Sequence, residues 1–128
     1  MNNSKPIVVL PIHQVLGKKK KKILVGLNWY RNCHFIENDT VKKIYLNIVA
    51  EQTRKMQTIQ SPPHFHYKIY VANKRTDGGN VRSIIEKFFL DALVENKILE
   101  NDTIDFISKY SIEYFIDKNN PIAEIYLL

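Results

Sequence analysis

A chain of 128 residues has the length of one domain and is long enough to bury a real core. With 45% hydrophobic and 25% charged residues it is globular in composition, which excludes a disordered or fibrous chain. The lone cysteine, Cys33, excludes an intrachain disulfide and fits a reducing, cytoplasmic setting; no apolar run approaches the ~20 residues of a membrane span, so no membrane partner is expected.

The net charge of +6 is spread unevenly. Residues 1–75 hold 14 Lys+Arg and 3 Asp+Glu, whereas residues 76–128 hold 5 and 10. A basic half joined to a half rich in carboxylates fits a nucleic-acid surface beside a metal site. A basic protein with chance asymmetry fits the same numbers.

Residues 1–5 are polar and expected to be loose. Residues 6–16 are rich in β-formers and read as a strand, in which Pro11 argues for an edge position or a bulge. Gly17 and the run Lys18, Lys19, Lys20, Lys21 and Lys22 then turn the chain into a second strand at residues 23–26, which predicts a β-hairpin with a basic tip. The lysines read either as a solvated turn that keeps a sheet edge from pairing or as a loop that contacts phosphates. In residues 27–34, Trp29 and Tyr30 read as core or rim aromatics, with stacking on bases as the alternative, and Arg31 reads as a candidate phosphate contact. Cys33 next to His34 lacks a third partner and carries no catalytic reading.

Asn38 or Asp39 is expected to cap a helix running to about Thr58, with Val41, Ile44, Tyr45, Ile48, Val49 and Gln52 along one stripe. Ser61-Pro62-Pro63 stops it. Residues 64–72 alternate as a strand that places His64, His66 and Lys68 on one face. That row reads as solvent-facing, because only His13 and His34 remain to complete a zinc site. Lys74 and Arg75 precede Asp77 and the Gly78-Gly79 loop, and Asn80 is the expected N-cap of a second helix ending near Asn96. Val81, Ile84, Ile85, Phe88, Ala92 and Leu93 form its core stripe, and Lys87 and Asp91 are neighbours one turn apart. Residues 105–116 and 122–128 read as closing strands joined by a turn at Lys118-Asn119-Asn120-Pro121.

The stretch 76–102 holds the candidate chemistry. Phosphodiester hydrolysis needs an activated water and neutralised phosphate charge, which carboxylates holding Mg²⁺ supply. Mg²⁺ keeps several waters, so two or three carboxylates suffice. Asp77 and Asp102 are the candidate metal ligands, with Asp91 or Glu100 as helpers, and Lys87 is the candidate stabiliser of transition-state charge. The candidate DNA-contacting residues are Lys18, Lys19, Lys20, Lys21, Lys22, Arg31, Lys74 and Arg75. Taken alone, acids scattered beside a helix are more often helix caps and solvated charges.

Asp77-Gly78-Gly79-Asn80, then Lys87, then Asp91-Ala92-Leu93, then Asn101-Asp102 follow an order that resembles the RusA family of Holliday-junction resolvases, its phage-type members above all. The segment Leu27-Asn28-Trp29-Tyr30-Arg31-Asn32 and the turn Asp117-Lys118-Asn119-Asn120-Pro121 support the resemblance, which spans roughly residues 24–128. It implies a small mixed α/β fold with two main helices, a homodimer, and Mg²⁺-dependent cleavage of four-way DNA junctions in recombination and repair, in a bacterial or phage-infected cell. Two symmetric cuts suit two symmetric active sites. Asp77, Lys87 and Asp102 fall at the family's catalytic positions. The family's second motif Asp is Gly79 here, and the first Asp of its later pair is Asn101. Either Asp91 or Glu100 compensates, or the chain binds DNA without cutting it.

Overall fold

The computed structural model describes residues 5–103, 106–107 and 109–128. The expected loose start and the Asp105 end of the expected strand lie outside the described residues, Lys5 excepted. The class is mixed α/β, and the described residues form one four-stranded sheet, one two-stranded ribbon and three helices.

The first expected strand is broken in two. β1 (Val8–Pro11) and β2 (His13–Leu16) meet at Ile12, which is wholly buried. β1 joins the main sheet by pairing with β6, while β2 pairs with β3 (Lys21–Leu24) in the separate ribbon. The corner is held from two sides: Val25 N–H donates to Ile12 C=O at 2.8 Å, and the Tyr45 hydroxyl donates to Pro11 C=O at 2.6 Å. Pro11 does lie on an edge strand, as a residue without an N–H must unless it sits at a bulge. Between β2 and β3 the turn closes through Lys20 N–H on Gly17 C=O, with both residues at positive φ (51° and 74°). Glycine takes that conformation freely. The hairpin with a basic tip is therefore present, although Lys21 and Lys22 belong to its return strand.

α1 (Leu27–Asn32) is a short helix that packs on α3. α2 (Phe35–Gln52) starts earlier and ends earlier than its stripe suggested. His34 is its N-cap, with Nδ1 accepting from Ile36 N–H at 3.2 Å, and Thr53 closes it by donating its hydroxyl to Val49 C=O at 2.7 Å. Past Thr53 the chain is held by the loop after α3 instead: Ile59 N–H donates to Ile98 C=O, and the Thr58 hydroxyl donates to Lys97 C=O. Val41, Tyr45 and Val49 are the buried face of α2; Ile44 and Ile48 of the expected stripe are half-buried.

β4 (His64–Val71) is the centre of the main sheet and alternates strictly between a buried and a half-buried face. α3 (Gly78–Glu95) returns the chain so that β5 (Lys109–Ile116) lies parallel to β4. β6 (Ile122–Leu127) then pairs antiparallel with β4 on its other side, giving the order β1-β6-β4-β5. The turn before Pro121 exists, with Asp117 Oδ1 accepting from the N–H groups of Asn119 and Asn120, but it makes no hairpin. It carries the chain across the end of β4.

α3 carries a wide apolar face because it packs on two partners. Phe89 turns to the sheet, edge-on to Phe65 at 5.1 Å between ring centroids. Phe88 turns to α2 and α1, stacking on Tyr45 at 5.6 Å and touching Trp29 and Tyr30 at just over 6 Å. Two well-placed aromatic faces one residue apart suit a helix sandwiched between a sheet and a second helix.

Candidate nucleic-acid interface

The N-terminus of α3, the foot of the β2–β3 hairpin and α1 enclose a groove of about 660 Å³. Lys21 comes from the hairpin, Asn28 and Asn32 from α1, and Asn73, Arg75 and Asp77 from the loop ahead of α3. The floor is apolar, made by Leu27, Val81 and one face of Trp29. Trp29 is a rim aromatic, as expected: its Nε1–H donates to Glu37 Oε2 at 2.7 Å, which fixes the ring against Phe88. Asn73 orders the loop by accepting from Arg75 N–H at 2.9 Å and from the Thr76 hydroxyl at 3.3 Å. In the sequence Asn28 and Asn32 stood out only as part of the segment that supports the resemblance, and Asn73 not at all, since single asparagines carry no periodic signal.

Asp77 has a defined structural task. It is the N-cap of α3, with Oδ1 accepting from Asn80 N–H at 3.2 Å, in the place expected for Asn80. Gly78 is needed beside it: a Cβ there would stand 2.5 Å from Tyr114 Cδ1. Gly79 is freer, and a Cβ there would meet Asp77 Oδ1 at 3.4 Å. The carboxylate that the motif would carry at position 79 would thus lie next to Asp77.

The remaining sequence candidates fall elsewhere. Asp102 and Asp91 line a cleft of about 360 Å³ between α2 and the C-terminal half of α3, together with Asp39, Lys42, Lys43 and Glu95. Lys87 Nζ lies 3.5 Å from Asp91 Oδ2, so Lys87 and Asp91 are together, and Asp102 shares the cleft of Asp91 but not of Lys87. Asp77 stands at the other end of a helix of 18 residues, roughly 27 Å long at 1.5 Å per residue. Lys18, Lys19, Lys20 and Lys22 on the hairpin, Arg31 on α1 and Lys74 in the loop are all exposed, and none of them lines the groove. Lys21 and Arg75 line the groove itself.

The Mg²⁺ that the resemblance implies does not fit one chain. Among the described residues no three His, Cys, Asp or Glu side chains gather where an ion could be held. Asp77 caps a helix, Asp91 is paired with Lys87, and the Asn101 side chain accepts from the Thr103 hydroxyl. Glu100 is exposed.

Two other sequence features resolve simply. Cys33 and His34 do not face each other: the thiol reaches Tyr30 C=O at 3.6 Å, and His34 Nδ1 is committed to the α2 cap. The row of His64, His66 and Lys68 lies on the sheet face away from the helices and is half-buried and networked. Ser111 Oγ lies 3.0 Å from His64 Nε2 and 2.6 Å from His66 Nδ1, and His66 Nε2 lies 2.7 Å from Glu113 Oε1. Next to it Glu124 accepts from the Tyr70 and Tyr126 hydroxyls; partial burial and that carboxylate hold the Tyr70 phenol at about 12. Among the described residues no helix is long and apolar enough to cross a membrane. No family model matches the chain, and no curated protein matches it.

Proposed function

We propose that this protein binds branched DNA, with four-way junctions as the preferred substrate, through the groove bounded by the basic hairpin, α1 and the start of α3. The observation that carries the reading is the meeting of Lys21 and Arg75 with Trp29 and Asp77 in one groove, beside an exposed tip of lysines. Phosphate neutralisation by such residues supplies most of the affinity for a nucleic-acid backbone. The resemblance to RusA resolvases supplies the class: a Mg²⁺-dependent, structure-selective endonuclease acting as a homodimer. The separation of Asp77 from Asp102 along α3 means that any ion held by both needs two chains. Two copies placed antiparallel would bring the Asp77 end of one α3 toward the Asp102 end of the other.

A second reading is favoured by Gly79 and by the absence of a gathered acid cluster among the described residues: a junction-binding protein without catalysis. One experiment separates the two. The protein is incubated with a labelled four-way junction and a linear duplex in Mg²⁺, Mn²⁺ or EDTA, beside an Asp102→Asn variant. Paired cuts that need metal and vanish in the variant support the nuclease. Tight, metal-independent junction binding without cuts supports the binding protein. No preference for the junction over duplex overturns both.

A further inference from the structure

The two edges of the main sheet are treated differently. β1 is four residues long, ends in Pro11, and is clipped by a side chain: the Gln52 amide accepts from Val9 N–H at 2.7 Å and donates to Val9 C=O at 2.8 Å. Among the described residues nothing comparable guards β5. It is eight residues long, contains no proline, and pairs on one side only, with β4. Four of the chain's exposed large hydrophobic side chains are on it: Tyr110, Tyr114, Phe115 and Ile116, between 38% and 56% exposed. A long apolar edge left open is a template for another strand.

We infer that β5 pairs antiparallel with β5 of a second copy, joining the two four-stranded sheets into one. The inference adds an interface to the homodimer proposed above, but it stands on the chemistry of β5 and needs no DNA binding. Asp117 N–H donates to Val71 C=O at 2.8 Å, so the odd-numbered residues of β5 direct their backbone groups to β4. Alternation along the strand then turns the N–H and C=O of Tyr110, Ile112 and Tyr114 outward. A two-fold axis at Ser111 sets Tyr110 opposite the partner's Ile112, each exchanging those outward groups. It also sets Lys109 opposite the partner's Glu113, twice by symmetry, with Ser111 facing its own copy. The strand is thus complementary to itself in charge as well as in backbone. An axis centred on Glu113 would also set Lys109 opposite a carboxylate, the partner's Asp117, but it opposes the two Glu113 carboxylates, which is unfavourable on one sheet face.

The test is the mass in solution, read by light scattering and sedimentation with folding checked by circular dichroism. The expected mass is twice the 15.1 kDa of one chain. Lys109→Glu and Glu113→Lys each turn two attractions into repulsions and are expected to weaken the dimer about tenfold or more. The double exchange Lys109→Glu with Glu113→Lys restores the pairs and is expected to recover most of the loss. That recovery separates a pairing role from damage to the Glu113–His66 contact. In a Cys33→Ser background, Ser111→Cys is expected to form a disulfide across the axis under mild oxidation. A monomeric wild type overturns the inference. So does a dimer that ignores both charge reversals, or one dissociated instead by Phe35→Ser at the exposed start of α2. Junction binding is scored separately, so failure of this interface and failure of the DNA reading are distinguishable.

Discussion

Asp77 stands in both accounts of this molecule, as a helix cap and as a candidate catalytic carboxylate, and substitution separates the roles. Asp77→Ala removes the acceptor of the Asn80 N–H bond at 3.2 Å and leaves the start of an 18-residue helix uncapped. Loss of an N-cap acceptor costs about 1 kcal/mol, within a range of roughly 0.5–2. A chain of this size then melts about 3–5 °C lower. Asp77→Asn keeps a cap acceptor of nearly equal quality and gives up only the charge at the positive end of the helix, about 0.5 kcal/mol at an exposed site. The assay is thermal and urea unfolding of the three proteins, paired with junction cleavage. Asp77→Ala is expected to be clearly less stable and Asp77→Asn close to wild type, whereas a catalytic Asp77 makes both equally inactive. If Asp77→Ala unfolds with the wild type, the cap is not made and the placement of Asp77 is wrong.

The adjacent glycines give opposite signs in the same unfolding assay: Gly79→Ala has room and is expected to stabilise by about 0.5 kcal/mol, whereas Gly78→Ala must displace the Tyr114 ring and is expected to cost about 1–3 kcal/mol. Phe88→Ala, at the meeting of α1, α2 and α3, is expected to cost about 3–5 kcal/mol and to shift the Trp29 fluorescence. Gln52→Ala removes the clip on β1 and is expected to lower stability by about 1 kcal/mol and to raise concentration-dependent aggregation, read by light scattering. Burial, aided by Lys22, depresses the His13 pKa below its usual 6.5. The unfolded chain therefore takes up the proton first, and stability falls as pH drops below 6.5 until the folded-state pKa is passed; His13→Gln flattens that part of the stability profile.

Local chemistry was legible and non-local pairing was not. The hairpin at Gly17, the strand of β4 with its strict alternation, and the apolar faces of both long helices follow from periodicity and turn residues alone. The turn at residues 118–121 was also legible, but not that β4 lies between the two strands it joins. The start of α2 was misplaced because histidine is an uncommon cap, and that of α3 because two glycines follow Asp77 and weaken the helical signal. The clip of Gln52 on Val9 spans 43 residues and leaves no trace in sequence spacing. The same holds for the candidate site: chain order already puts Asp77 before and Asp102 after the second long helix, but only the fold shows that Asp77 lines a groove with Lys21 and Arg75 while Asp102 lines a separate cleft with Asp91.

The measurement closest to the central claim is the salt dependence of binding to a four-way junction and to duplex, for the wild type and a variant with Lys18, Lys19 and Lys20 changed to Gln. The account predicts tighter binding to the junction and a slope of log affinity against log salt that falls by about 2–3 when the three lysines are lost. Equal affinity for junction and duplex, or a slope unchanged by the substitutions, would contradict it.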